Sequence, residues 1–287
     1  MFTKCQICIS KYATLFGSYE WTSENKTYNL YKCKKCGSAF TCPLPTDAML
    51  QELYKHSFSY EWYRNHLSAK IKDSETRYNA YKNIIGNMVL DYGGGIGYFS
   101  QVCRDHGLNS ITYDPYTTDN AQTNKWDTVV ALHVIEHSNN PDNIIDNIKS
   151  LLVNNGTLIL AVPNFSGIGY HKMGMQWVWA QPPFLHIFHF TAEGISRLLE
   201  RHGFTIIEIS YHDRWDANIY CDVINAAKYA KRDAMWSNKI LGKYYPYRML
   251  ISQMNSYARF NGLKKSNKLI YEDTERSELQ VIAKYKK

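Results

Sequence analysis

The segment Met88-Val-Leu-Asp-Tyr-Gly-Gly-Gly-Ile-Gly97 constrains this chain more than any other. A short apolar run passes directly into a glycine loop, and a helical pattern over 99–106 follows and stops at Gly107. Without Cβ atoms the loop can turn sharply and lie close against a ligand. The dinucleotide fingerprint G-x-G-x-x-G, started at Gly93, requires glycine at 98, where this chain has Tyr98. No Gly-Lys-Ser/Thr follows, so a P-loop is excluded as well.

The texture set there continues. Apolar runs at 110–114, 127–132, 157–162, 204–211 and 278–285 read as strands, and 141–152 and 192–202 read as helices, with Gly156 and Gly203 after them. Strands alternating with helices predict an α/β fold with a doubly wound, mostly parallel sheet. Upstream, 46–54 suits a short helix with Thr46 as its N-cap, and 66–85 a longer one ending near Gly86. The stretch 225–265 reads as a helical insertion near the C-terminus.

Residues 1–45 are different: rich in Cys and Lys, without helical periodicity, and closed by Pro43 and Pro45. They contain Cys5-Gln-Ile-Cys8 and Cys33-Lys-Lys-Cys36. Two C-x-x-C knuckles in one small unit match tetrahedral four-thiolate zinc better than a redox pair, and four protein ligands make a closed, structural site. Gly37 follows the second knuckle, where the turn needs a positive φ. The domain expectation is therefore a zinc ribbon over 1–45, a helical and aromatic linker and lid over 46–86, and the α/β domain over 87–287.

The spacing D-x-G-x-G-x-G in Asp91-Tyr-Gly-Gly-Gly-Ile-Gly97 resembles motif I of class I S-adenosylmethionine (SAM)-dependent methyltransferases. That resemblance implies a seven-stranded, Rossmann-like methyltransferase sheet and a SAM site at Asp91, Tyr92, Gly93, Gly95 and Gly97. It also implies that Asp114 and Pro115, at the end of the second strand, bind the ribose hydroxyls; a carboxylate can accept both protons. The run Trp126-Asp-Thr-Val-Val-Ala-Leu-His-Val-Ile-Glu-His137 is similar to the segment of small-molecule methyltransferases that ends in Val-Leu-Glu-His, which places His133 beside SAM. Glu136 and His137 fall at the ligand-binding end of the strand. His137 also falls where plant phenol O-methyltransferases carry their base, although Ser138-Asn139 replaces their acid-Trp pair.

Leu185-His-Ile-Phe-His-Phe-Thr191 resembles a segment that borders the acceptor pocket in the same families. In sugar C-methyltransferases a Glu-His pair stands there; here His186 matches but Leu185 replaces the acid, which favours O- or N-methylation. His137, His186 and His189 are the candidate bases. The stretch from Cys33 to Tyr54 is similar to ribbon-plus-methyltransferase proteins of bacterial glycan and secondary-metabolite pathways.

The expected function is methylation of a small polar acceptor, most simply O-methylation of a sugar, nucleotide-sugar or polysaccharide-pathway intermediate, with SAM as cofactor and structural Zn²⁺. A net charge of +7 suits an anionic, phosphate-bearing acceptor. A zinc-containing RNA base methyltransferase is the rival enzyme, but the Lys and Arg residues form no concentrated stripe. A non-catalytic scaffold is the other rival, opposed by the intact glycine loop. No run of about 18 apolar residues predicts a membrane span, and the first residues lack an apolar signal region, so the expected compartment is the cytoplasm.

Overall fold

The structure, a computed structural model, describes residues 3–21, 26–51, 67–114, 123–173, 186–212 and 272–286. The expected helical insertion at 225–265 and Pro115 lie outside the described residues, as does the whole stretch 52–66 of the expected linker. The chain divides into two compact units, one of Met1–Thr46, Pro163–Ile195 and Ser210–Leu279, the other of Asp47–Val162, Ser196–Ile209 and Gln280–Lys287.

The first unit begins with a ribbon. Strands β1 (Ala13–Trp21), β2 (Lys26–Cys33) and β3 (Ala39–Cys42) form an antiparallel meander. A fourth strand joins its edge much later in the sequence: the two-residue β8 (Phe188–His189) pairs antiparallel with β3, Ala39 opposite His189 and Phe40 opposite Phe188. Buried polar groups hold this junction. Thr191 Oγ1 donates to the carbonyl of Cys36 at 2.5 Å and accepts the Gly194 N–H at 3.1 Å, while Ser38 Oγ accepts the Thr191 N–H at 3.0 Å. Thr191 thereby caps the first turn of α5, because its oxygen satisfies a helix-start N–H that no carbonyl reaches.

The second unit carries the α/β sheet. In chain order its elements are α1 (Leu67–Tyr81), β4 (Met88–Tyr92), α2 (Tyr98–Asp105), β5 (Asn109–Tyr113), β6 (Trp126–Leu132), α3 (Pro141–Leu151) and β7 (Leu152–Pro163). The short α4 (Ile168–Met173) belongs to the first unit, and α5 (Ala192–Arg201), β9 (Phe204–His212) and β10 (Glu278–Tyr285) complete the chain. The strand order is β5-β4-β6-β7-β10-β9, and the pairs β4–β5, β4–β6 and β6–β7 are parallel. Six strands stand where the resemblance implied seven; the seventh has no counterpart among the described residues.

The helices bury the faces that their spacing dictates. Ile195, Leu198 and Leu199 of α5, three and four apart, are all fully buried, as a helix facing a core requires. Ile145 and Ile148 of α3 are fully buried too. That helix starts at Asn140, whose side chain accepts the Asn143 N–H at 3.1 Å, with Pro141 at the first helical position. Beneath β4 a core cluster joins Tyr81, Val89, Phe99, Cys103, Val130, Ile159 and Ile282; each fully buried large apolar side chain contributes about 1.5–3 kcal/mol. One boundary departs from expectation. Strand β7 begins at Leu152, not near 157, because Leu152 pairs in parallel with Trp126 and the chain turns within the ladder, with Asn155 at φ 60°. No helix among the described residues is long and apolar enough to cross a membrane.

Candidate functional site

The order β5-β4-β6 means that the chain leaves β4 toward β5 and returns on the other side of β4 to form β6. That reversal opens a crevice outside the carboxyl ends of β4 and β6, the place where open α/β sheets bind ligands. Two loops flank it, Gly93–Gly97 after β4 and His133–His137 after β6.

Gly93, Gly95 and Gly97 all adopt positive φ, at 72°, 59° and 84°, a region that residues with a Cβ enter only at a cost. Space is as restrictive as torsion. A Cβ on Gly93 would lie 2.6 Å from Val134 Cγ2, so the two flanking loops touch directly. A Cβ on Gly97 would lie 2.4 Å from Thr112 Oγ1, and one on Gly94 2.1 Å from Asp91 Oδ2. The need for glycine at 94 is a finding of the tertiary structure; the D-x-G-x-G-x-G pattern leaves that position free.

Asp91 lies under the loop and is almost fully buried. It accepts the Ser100 N–H at 3.3 Å. Burial, helped by the nearby charge of Asp114, pushes its carboxyl up to about 7, against the Ser100 N–H, the Thr112 hydroxyl and the Arg104 guanidinium, which favour the carboxylate. Asp114 directly follows β5 and is half-buried. Tyr92 is fully buried, its ring 5.5 Å from that of Tyr113 in an edge contact, so what it presents at the loop is backbone.

Across the crevice, β6 ends in an unusual backbone. His133 adopts φ 56° while its N–H donates to the Ala161 carbonyl at 2.8 Å. A 3₁₀ turn, Ile135–His137, follows. Glu136 on it is fully buried, with Oε1 3.2 Å from His133 Nδ1 and 3.8 Å from His137 Nε2. Its second oxygen is buried with no hydrogen-bond partner among the described residues. The sequence puts Glu136 at the end of this strand; its complete burial is what the structure adds.

His186 and His189 belong to the first unit and His137 to the second. Both His186 and His189 are buried, their ring centroids 6.5 Å apart. His189 packs against Phe165 at 5.3 Å, and burial lowers its imidazole to about 4, so it is neutral near pH 7.

The cysteines of the ribbon converge. The Sγ atoms of Cys5, Cys8, Cys33 and Cys36 all lie within 4.8 Å of one another, with Cys5–Cys36 at 3.9 Å and Cys8–Cys33 at 3.6 Å. Tetrahedral zinc with Zn–S bonds of about 2.3 Å sets sulfur–sulfur edges of about 3.8 Å, so the cluster is consistent with a zinc site. The two knuckles repeat one geometry. Ile9 N donates to the Cys5 carbonyl at 3.0 Å and Gly37 N to the Cys33 carbonyl at 3.0 Å, and both residues are left-handed, with φ 63° and 71°. Backbone N–H groups of Cys8 and Lys35 donate to the sulfurs of Cys5 and Cys33, at 3.4 and 3.3 Å. Burial and neighbouring thiols push the Cys8 thiol up to about 11; a bound cation would reverse that by favouring the thiolates.

The family model described as a methyltransferase domain matches residues 63–209. No curated protein matches the chain. Among solved structures, a SAM-dependent methyltransferase from Geobacter sulfurreducens in complex with S-adenosyl-L-homocysteine is 12% identical over 75% of this chain and 91% of its own, with a TM-score of 0.48. A SAM-dependent methyltransferase from Thermotoga maritima, described as a possible histamine N-methyltransferase, is 12% identical over 83% of this chain and 100% of its own, with a TM-score of 0.44. One from Archaeoglobus fulgidus is 16% identical over 79% and 100%, with a TM-score of 0.46. With the family model spanning more than half of the sequence, the chain belongs to the methyltransferase-domain family and is a SAM-dependent methyltransferase.

Proposed function

We propose that this methyltransferase methylates an oxygen of a small polar acceptor, a sugar, nucleotide-sugar or other glycan-pathway intermediate, and that its ribbon holds one structural zinc ion. The observation that carries the reading is the buried carboxylate of Glu136 at the mouth of the sheet, with the His133 imidazole at 3.2 Å and that of His137 at 3.8 Å. A hydroxyl acceptor must lose a proton as it attacks, and a histidine takes protons near pH 7.

SAM supplies an activated methyl group, and the protein's work is to hold, orient and exclude water. The residues present fit that cofactor. The glycines at 93, 94, 95 and 97 offer backbone bare of side chains, Asp114 offers a carboxylate for two ribose hydroxyls, and His133 stands on the opposite loop. Asp91 acts beneath the loop, fixing the first turn of α2 through Ser100. The four thiolates of the ribbon leave no open coordination position, so zinc there holds the knuckles and the β3–β8 junction rather than reacting.

Calorimetry with SAM, followed by transfer of labelled methyl groups to a panel of nucleotide-sugars, sugar phosphates and RNA, tests the reading. Expected are micromolar binding that Asp114→Ala abolishes, and label on the sugar nucleotides or phosphates. Label on RNA alone would replace the small-acceptor reading with that of a base methyltransferase. Absence of SAM binding by folded, zinc-replete protein would move the chain to a scaffold.

A further inference from the structure

Strand β1 carries one residue more than its partner β2 can match. Leu15 lies opposite Tyr31 and Gly17 opposite Leu30, so Phe16 is a β-bulge. A bulge re-aims the side chain it carries, and bulges gather at sheet edges and beside active sites. Here the bulge aims Phe16 at a ring cluster of the same unit. Its ring centroid is 6.3 Å from that of Phe165 and 6.1 Å from that of Tyr170. Phe165 and Tyr170 are buried, 4.0 Å apart, and the ring contacts continue from Phe165 to His189 on β8 at 5.3 Å. Phe16 itself stays 43% exposed.

Lys32 stands beside it. Its Nζ lies 5.6 Å from the centre of the Phe16 ring and 5.4 Å from that of Phe165, within cation–π range. Among the described residues no carboxylate pairs with this ammonium. Ring faces hold its charge but bring no oxygen to its three N–H donors. The surroundings do not neutralise it either: residues 1–46 hold six lysines against two glutamates, and stay positive with four thiolates and one zinc ion counted. The complement of such a patch is a flat group joined to a negative charge.

We propose that the Phe16–Lys32 patch binds the nucleoside diphosphate half of the acceptor, with the base stacked on Phe16 and a phosphate on Lys32. This rests on the small-polar-acceptor reading and narrows it to a sugar nucleotide. A sugar phosphate would engage the ammonium and leave the exposed ring bare, and a neutral sugar would do the reverse. Every base has a face that stacks on an aromatic ring, so the patch recognises a nucleotide as a class and leaves the choice of base to other contacts. The inner face of Phe16 already rests on Phe165 and Tyr170, so little side-chain freedom is lost when a base covers the outer face.

Calorimetry on protein saturated with S-adenosylhomocysteine, which fills the cofactor site, tests the patch without any methyl transfer. The probes are the diphosphates of uridine, thymidine, guanosine and adenosine, uridine alone, and inorganic pyrophosphate. At least one diphosphate should bind, and pyrophosphate and the bare nucleoside should each bind at least about tenfold more weakly. Phe16→Ala should weaken that binding about tenfold, and Phe16→Tyr, which keeps the ring, should preserve it. Lys32→Gln should weaken it about fivefold and flatten its dependence on salt. Affinity for S-adenosylhomocysteine should be unchanged in all three variants. Absence of diphosphate binding, pyrophosphate binding as tight as the best diphosphate, or unaltered affinity in both Phe16→Ala and Lys32→Gln would overturn the proposal. So would an RNA oligonucleotide that binds through the same two residues more tightly than any diphosphate. Methyl transfer to a sugar phosphate without diphosphate binding would overturn the patch and leave the oxygen-acceptor reading standing. Diphosphate binding with the expected variant pattern and a failed transfer panel would uphold the patch and count against the oxygen acceptor.

Discussion

Gly97 and Gly107 share the same φ of 84°, at the two ends of α2, and differ only in what surrounds them. An alanine Cβ at Gly107 meets nothing within 4 Å; at Gly97 it meets Thr112 Oγ1 at 2.4 Å and Ser100 Oγ at 3.0 Å. Left-handed backbone costs an alanine about 1–2 kcal/mol at either position. The collision at Gly97 adds about 1–3 kcal/mol, the usual range for overpacking. Gly107→Ala should therefore destabilise by about 1–2 kcal/mol and Gly97→Ala by about 2–5 kcal/mol. Urea unfolding at pH 7, followed by circular dichroism, measures both. Thr112→Ala removes the nearer atom, so Gly97→Ala should cost at least about 1 kcal/mol less in that background, a coupling that a double-mutant cycle reads. Calorimetry with S-adenosylhomocysteine should show more than tenfold weakening for Gly97→Ala and unchanged affinity for Gly107→Ala, because only Gly97 borders the crevice. Equal losses from the two variants would refute the claim that close packing against β5, and not torsion alone, requires glycine at 97.

Two further outcomes follow from buried polar groups. Thr191→Val leaves the Cys36 carbonyl and the Gly194 N–H without their partner, which should cost about 2–4 kcal/mol in thermal or urea unfolding; it should also speed zinc release to a colorimetric chelator, from a starting content of one ion per chain. Asp91→Asn tests the buried acid: its carboxyl rises from 3.8 to about 7, so the folded state holds a proton that the unfolded chain has lost, and stability falls as pH climbs from about 4 to 7. At about 1.4 kcal/mol per unit the fall attributable to Asp91 is about 4 kcal/mol, and Asp91→Asn should flatten that part of the stability–pH curve, measured from urea midpoints; an unchanged curve would show the acid to be solvated.

Much of this protein was legible in its sequence because the physics involved is local. Period-two and period-3.6 patterns gave the six strands of the sheet and the helices α2, α3 and α5 within a few residues. The two C-x-x-C spacings gave the cysteine cluster, since each knuckle is closed by hydrogen bonds within its own few residues. The glycine loop and the order of motifs gave the family. What the sequence could not contain was where side chains point, which of them meet and which are buried. That β8 would complete the ribbon sheet depends on Ser38, Thr191 and the Cys36 carbonyl meeting across some 150 residues of chain. That Gly94 is required depends on where the Asp91 carboxylate points. That Glu136 is buried, with one oxygen on His133 and the other unsatisfied among the described residues, depends on a left-handed histidine at a strand end. Sequence fixes which groups exist and which local turns they favour; burial, and with it the proton affinity of Asp91 and the partner of His133, arises only when the sheet closes over them and removes water.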